Sequence, residues 1–216
     1  MDRTVEIEQM LRQFRWLKVY CIAVTGALAV MMLGGATARQ RFDEIDVERI
    51  NVVDSSGVAR LVISNADRFP PPVVGGKTYK RAVNPAGIVF FDERGDEVGG
   101  LALSNPEHGR VSALAFDYSD SDAMGLVTRI SPDSSNATAG LVINSRPDKT
   151  LKGPAAMKAA NNRVALQNRD ETAELVLSDP QGRARLKMFV GPDGEPHVEM
   201  LDAGGKVVRS MENEGR

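Results

Sequence analysis

The chain has one cysteine, two histidines and one tryptophan in 216 residues, and aromatic side chains make up 5% of it. With Cys21 alone, neither an intrachain disulfide nor a cysteine-based metal cluster can form, and the redox compartment stays open. His108 lies in the turn-like stretch Asn-Pro-Glu-His-Gly and His197 on the polar side of an alternating run, each without the partners that catalysis needs. No Gly-x-Ser-x-Gly elbow occurs, so a Ser-His-Asp triad would have to be assembled from unrelated loops. Basic charge is not in excess either. Beyond residue 38, acidic side chains outnumber basic ones 26 to 23, which argues against a nucleic-acid partner. The hydrophobic share of 42% is ordinary for a folded protein and permits a core without disulfide staples.

What the chain does have is an uncharged run from Val19 to Ala38. Twenty residues of helix at about 1.5 Å each span roughly 30 Å, the thickness of a bilayer core. Ile7, Met10, Leu11 and Phe14 upstream fall at i, i+3, i+4 and i+7, the spacing of an amphipathic helix leading into the span. Arg12, Arg15 and Lys18 precede the span and Arg39 and Arg41 follow it, a slight bias toward a cytoplasmic N-terminus. Trp16 and Tyr20 suit either an interfacial anchor or plain lipid-facing packing, and Ala23 and Ala27 form a small-xxx-small pair of a kind common by chance. Ala36-Thr37-Ala38 has the form of a signal-peptidase site, so secretion after cleavage near Ala38 is the competing expectation. The long, partly acidic region ahead of the span favours a retained anchor.

The remainder reads as β-structure punctuated by one device. Asp54-Ser-Ser-Gly57 and Asp92-Glu-Arg-Gly95 each sit between alternating apolar runs. The aspartate can accept from the turn backbone, and the glycine can take the positive φ of a turn followed by a bulge. Asp117-Tyr-Ser-Asp120-Ser-Asp122 is a degenerate copy without the glycine, and Asp179 to Gly182, Gly191 to Gly194 and Asp202 to Gly205 punctuate a C-terminal meander. Pro70, Pro71 and Pro72 exclude a central strand from the loop Ala66 to Gly87. Residues 131–162 are less patterned, with a short apolar run from Gly140 to Ile143 and a helical turn expected within Lys152 to Ala160.

Tests for chemistry give little. Gly76-Lys77-Thr78 has the tail of a phosphate-binding loop, but position 71 is proline and no helix start follows. Asp92, Glu93, Asp96 and Glu97, and separately Asp117, Asp120 and Asp122, offer hard oxygen ligands for calcium or a glycosidase pair. Turn chemistry and solvated hairpin tips explain them more simply. Asn136-Ala-Thr138 fits a glycosylation sequon that is frequent by chance. No residue is therefore assigned a catalytic, cofactor-binding or metal-ligating role, and no cofactor is expected.

Phe-Asp-Glu-Ile-Asp-Val-Glu-Arg-Ile-Asn-Val-Val, then Leu-Val-Ile-Ser-Asn and Arg-Phe-Pro, then Phe-Asp-Glu-Arg-Gly-Asp-Glu-Val-Gly-Gly-Leu behind a basic-flanked span resemble a group of uncharacterised bacterial single-pass membrane-anchored proteins. The likeness covers most of residues 10–210 and departs most in 131–162. It implies a bacterial origin and a shared architecture, and carries no activity and no functional residues.

The expected organisation is a cytoplasmic amphipathic helix (1–18), a transmembrane anchor or signal segment (19–38), a linker (39–49), an all-β extracytoplasmic hairpin domain (50–210) and a tail (211–216). Ten to twelve antiparallel strands would close into a barrel or split into two packed sheets, with a propeller as the weaker option. The expected function is a non-enzymatic, partner-binding or structural module of the bacterial envelope. The alternatives are a β-barrel holding a lipid or other apolar small molecule, and a hydrolase with an unrecognised site. Partners are the membrane, an unknown protein or envelope component, and a second copy joined by β-addition at open edges.

Overall fold

Local turn chemistry lays down most of this architecture. The computed structural model describes residues 3–35, 41–81, 83–104 and 109–211. The segment Ala36-Thr37-Ala38, His108 and the tail beyond residue 211 lie outside the described residues. The chain divides into two compact units, Met1–Asp46 and Val47–Arg216.

The first unit is dominated by one continuous helix, α1 (Arg3–Gly35), with no break between the amphipathic and apolar parts. Its stretch Ile7–Met31 is long and apolar enough to cross a membrane, by length and composition. Its described side chains are exposed.

In the second unit the described strands all pair antiparallel. Its strands are β1 (Arg49–Val53), β2 (Ala59–Ser64), β3 (Val73–Val74), β4 (Lys77–Thr78), β5 (Ala86–Phe91), β6 (Glu97–Ser104), β7 (Arg110–Asp117), β8 (Asp122–Ile130) and β9 (Ala137–Asn144). A short helix, α2 (Pro154–Ala159), precedes β10 (Asn162–Arg169), β11 (Thr172–Ser178), β12 (Ala184–Val190), β13 (Pro196–Leu201) and β14 (Val207–Met211). Twelve strands form one sheet in the order β1-β2-β5-β6-β7-β8-β9-β10-β11-β12-β13-β14, while β3 and β4 form a separate ribbon within the proline-rich loop. Apart from that insertion, each strand pairs with its sequence neighbours.

The turns explain the order. Asp54 Oδ1 accepts from the Ser56 and Val58 amides at 2.9 and 3.1 Å, and Gly57 sits at φ +87°. Asp92 repeats this with the Arg94 and Asp96 amides, as do Asp179 with Gln181 and Arg183 and Asp202 with Gly204 and Lys206. Register shifts at Val52/Val53, Phe90/Phe91, Leu177/Ser178 and Met200/Leu201 mark the bulge beside each of these turns. An aspartate that caps its own turn joins consecutive strands and favours no distant pairing.

The expected barrel does not form, and neither does a pair of packed sheets or a propeller. Strands β1 and β14 are the two edges of an open sheet: closure would require them to pair with each other, and β1 pairs only with β2 and β14 only with β13.

The apolar core is small. Among described hydrophobic side chains only Val62, Val89, Phe91, Ala156 and Leu201 are buried. Val62, Val89 and Phe91 cluster under Phe69 of the proline-rich loop. Arg81 holds that loop in place: its guanidinium lies 4.9 Å from the Phe69 ring centroid, its Nε donates to the Pro70 carbonyl at 3.0 Å and it pairs with Glu97 at 2.5 Å. Phe91→Ala is expected to cost about 3 kcal/mol, the usual result of emptying a buried aromatic site. A thermal melt of the full chain in lipid nanodiscs would show this, whereas Val208→Ala, at an exposed position of the edge strand β14, should shift the melt far less.

Candidate functional site

Two features stand apart, one on each face of the sheet. The first follows from strand alternation and register together. Side chains alternate between faces along a strand, so residues paired across successive strands share a face. Following the pairs from edge to edge gives Ile50, Ile63 and Ile88 on the first three strands of the sheet. Leu101, Leu114, Leu126, Leu141, Leu166 and Leu175 follow on the middle six, and Met188, Val198 and Met211 on the last three. All twelve are apolar. None of them is buried, and Leu126 and Leu166 are each 55% exposed. A second row on the same face runs from Val52 through Phe90, Phe116 and Ile143 to Met200, interrupted by Gly99 and ending at Arg209. A shallow open hollow of 490 Å³ lies over the middle of this face, between Leu101 and Leu166.

The opposite face differs in kind. The row that interleaves with the leucines contains Gly100, Ala115, Gly125 and Ala165 in the middle and Lys187, Glu199 and Ser210 toward the C-terminal edge. Over its N-terminal strands this face carries the proline-rich loop. His197 belongs here and stacks on Phe189 with ring centroids 4.7 Å apart.

The second feature is a cleft of 350 Å³ on this covered face, where the ends of β6, β7 and β8 meet the loop and α2. Its charged lining is Lys80, Arg81, Glu97, Asp117, Asp120 and Asp122, with Tyr79 and Tyr118 beside them. The degenerate third hairpin supplies three of these groups. Without a turn glycine, it pairs Asp117 directly with Asp122 across a bulge. Burial, then the charges of Asp122 and Glu97, push the Asp117 carboxyl from its ordinary value of 3.8 up to about 7, against the opposing pull of Arg81. Glu97 is neutralised by Arg81, and Asp120 by Lys152 at 2.9 Å. Among the described residues, Asp117 is left without a cationic partner of its own and holds its proton near neutral pH. Ser121, 6% exposed, has a hydroxyl without a hydrogen-bond partner.

The residues singled out from sequence thus fall in different places. Gly76-Lys77-Thr78 lies at the turn and second strand of the β3–β4 ribbon, and the Gly76 amide donates to Asp96 at 2.7 Å. Asp92 serves its turn and pairs with Arg94. Glu97, by contrast, joins Asp117, Asp120 and Asp122 in the cleft. Asn136 is exposed beside the β8–β9 connection. Among the described residues, no three of His, Cys, Asp and Glu are arranged to hold a metal ion. Sequence reasoning missed the cleft as a unit, because Arg81 and α2 reach it from loops distant in the chain. The absent glycine at Asp120 was the one local signal.

No protein-family model matches this chain, and neither a curated protein nor a solved structure matches it.

Proposed function

We propose that this chain is a non-enzymatic module of the bacterial envelope, held to the cytoplasmic membrane by α1 with its β domain outside, and that it works by docking a partner on the open apolar face of the sheet. The observation that carries the reading is the contrast between faces. All twelve strands of the sheet contribute an apolar side chain to one uncovered row, while the chain lays its own loop over part of the other face. Exposed apolar patches of that extent mark interaction surfaces. The long apolar helix and the basic residues ahead of its uncharged part support the anchoring and its direction.

The test is accessibility in intact cells. In the full chain with Cys21→Ser, an Arg129→Cys variant places a thiol on an exposed position of the domain. A membrane-impermeant maleimide should label it without lysis, and the protein should stay in the membrane pellet through alkaline extraction. Labelling only after lysis would overturn the orientation. A shortened protein released from the membrane would overturn the anchor in favour of cleavage.

A further inference from the structure

From the dimensions and composition of the apolar face, we infer that its occupant is a second copy of this chain, packed face to face so that two open sheets become the two layers of one sandwich. The inference rests on the docking reading above and names its partner. A single antiparallel sheet with one apolar face requires another layer against it.

Three observations favour a second copy. The first is extent. The hollow on the face spans only the strands from β6 to β10, so a small ligand seated there would leave Ile50, Ile63, Met188 and Met211 bare. An identical row of twelve has the length to cover them all.

The second is area. Twelve strands about 4.8 Å apart make a row of roughly 55 Å, and two rows about 7 Å apart make a band of roughly 700 Å². Standard stable interfaces bury about 800 Å² per partner, so the face alone comes close to what a dimer needs.

The third is composition. Within the two rows the only charged side chain is Arg209, at the β14 edge, so two copies can stack without burying opposed charges. Edge-to-edge pairing of β1 with β14 would satisfy the edges and leave the rows exposed.

Symmetry fixes which residues meet. Two copies anchored in one membrane need the N-terminal ends of their β1 strands on the same side. A two-fold axis parallel to the strands provides this. It lays β1 of one copy over β14 of the other and passes between β8 and β9, beside Leu126 and Leu141. Aligned sheets pack about 10 Å apart, so the two Leu126 side chains come within the span of a short thiol crosslinker.

The experiment uses the full chain with Cys21→Ser in its native membrane, before any detergent can compete for the face. Leu126→Cys and Arg129→Cys lie on opposite faces of the same strand. A bismaleimide with a span of about 8–10 Å should convert most of the Leu126→Cys protein to a dimer and at least tenfold less of the Arg129→Cys protein. Adding Leu175→Asp, at a half-buried position on the open face, should reduce the Leu126→Cys dimer at least tenfold.

Equal dimer from both cysteines would overturn the proposal, since it would place the contact elsewhere, at the edges or through α1. A monomer at both positions would overturn it too, as would a monomer whose face is occupied by co-purifying lipid. Failure here with impermeant-maleimide labelling intact would remove the second copy and leave the anchored module standing. Failure of the labelling would remove the anchored module whatever the crosslinks show.

Discussion

Gly100→Ala is expected to prevent the sheet from forming. A Cβ at this position would lie 2.3 Å from the Ile88 carbonyl oxygen and 3.3 Å from the Val89 Cα, both backbone atoms of β5. Its neighbour is equally confined. A Cβ at Gly99 would lie 2.4 Å from the Ala115 carbonyl oxygen on β7, with φ at +143°. The two glycines let β6 sit tightly against both flanking strands, and an added methyl can be placed only by moving one of them away. In a unit with so few buried side chains, losing the β5–β6 or β6–β7 ladder separates the packed Val62, Val89 and Phe91 cluster from the rest of the sheet. The expected cost is about 3 kcal/mol or more, comparable with severe overpacking, and a large part of any domain's net stability. Gly57→Ala is the matched comparison, because a Cβ there meets nothing within 4 Å and only the positive φ of +87° is strained. It should cost about 1 kcal/mol. Protease resistance and circular dichroism of the full chain would separate the two. A Gly100→Ala protein as resistant as Gly57→Ala would show that β6 does not pack as described.

Asp117→Asn is expected to stabilise the protein at neutral and alkaline pH and to flatten its pH dependence. In the folded chain the Asp117 carboxyl holds its proton up to about pH 7, because burial and the charges of Asp122 and Glu97 oppose ionisation, whereas the unfolded chain releases it near 3.8. Between those values the folded state binds more protons than the unfolded state. Stability therefore falls as pH rises through that window, and above about 7 the penalty is complete. Its size is on the order of 2–3 kcal/mol for a half-buried carboxyl. Asparagine fills the same space without the charge, so melting temperatures of the variant and the parent should converge near pH 4 and diverge up to about pH 7.5. Asp133 acts in a different window. The Ser131 and Ser135 hydroxyls and the Ser135 amide hold its carboxyl down to about 2, so what it contributes is lost only as pH falls through the acid range. Identical melting of Asp117→Asn and parent at pH 7.5 would mean that Asp117 is solvated and already ionised.

Much of the fold was legible because it is local. Asp54, Asp92, Asp179 and Asp202 act within four residues of themselves, so their turns and bulges can be read without any knowledge of what lies across the sheet. The three prolines removed the loop from the ladder for an equally local reason, although the β3–β4 ribbon inside it went unread. The expected helical turn between Lys152 and Ala160 holds α2. The cleft was less legible. Asp117, Asp120 and Asp122 stood out, but Arg81 and Lys152 neutralise two of the cleft's carboxylates from other parts of the chain, and only the fold decides which carboxylate keeps its proton.

By itself the sequence determined an apolar helix followed by consecutive antiparallel hairpins, because helix span, turn type and side-chain alternation depend on residues a few positions apart. The tertiary structure alone decided that the sheet stays open, that its bulges keep twelve apolar side chains in one row, and that only the other face receives the proline-rich loop. Those outcomes depend on register carried across strands far apart in sequence, where one added residue would send a strand's side chains to the opposite face.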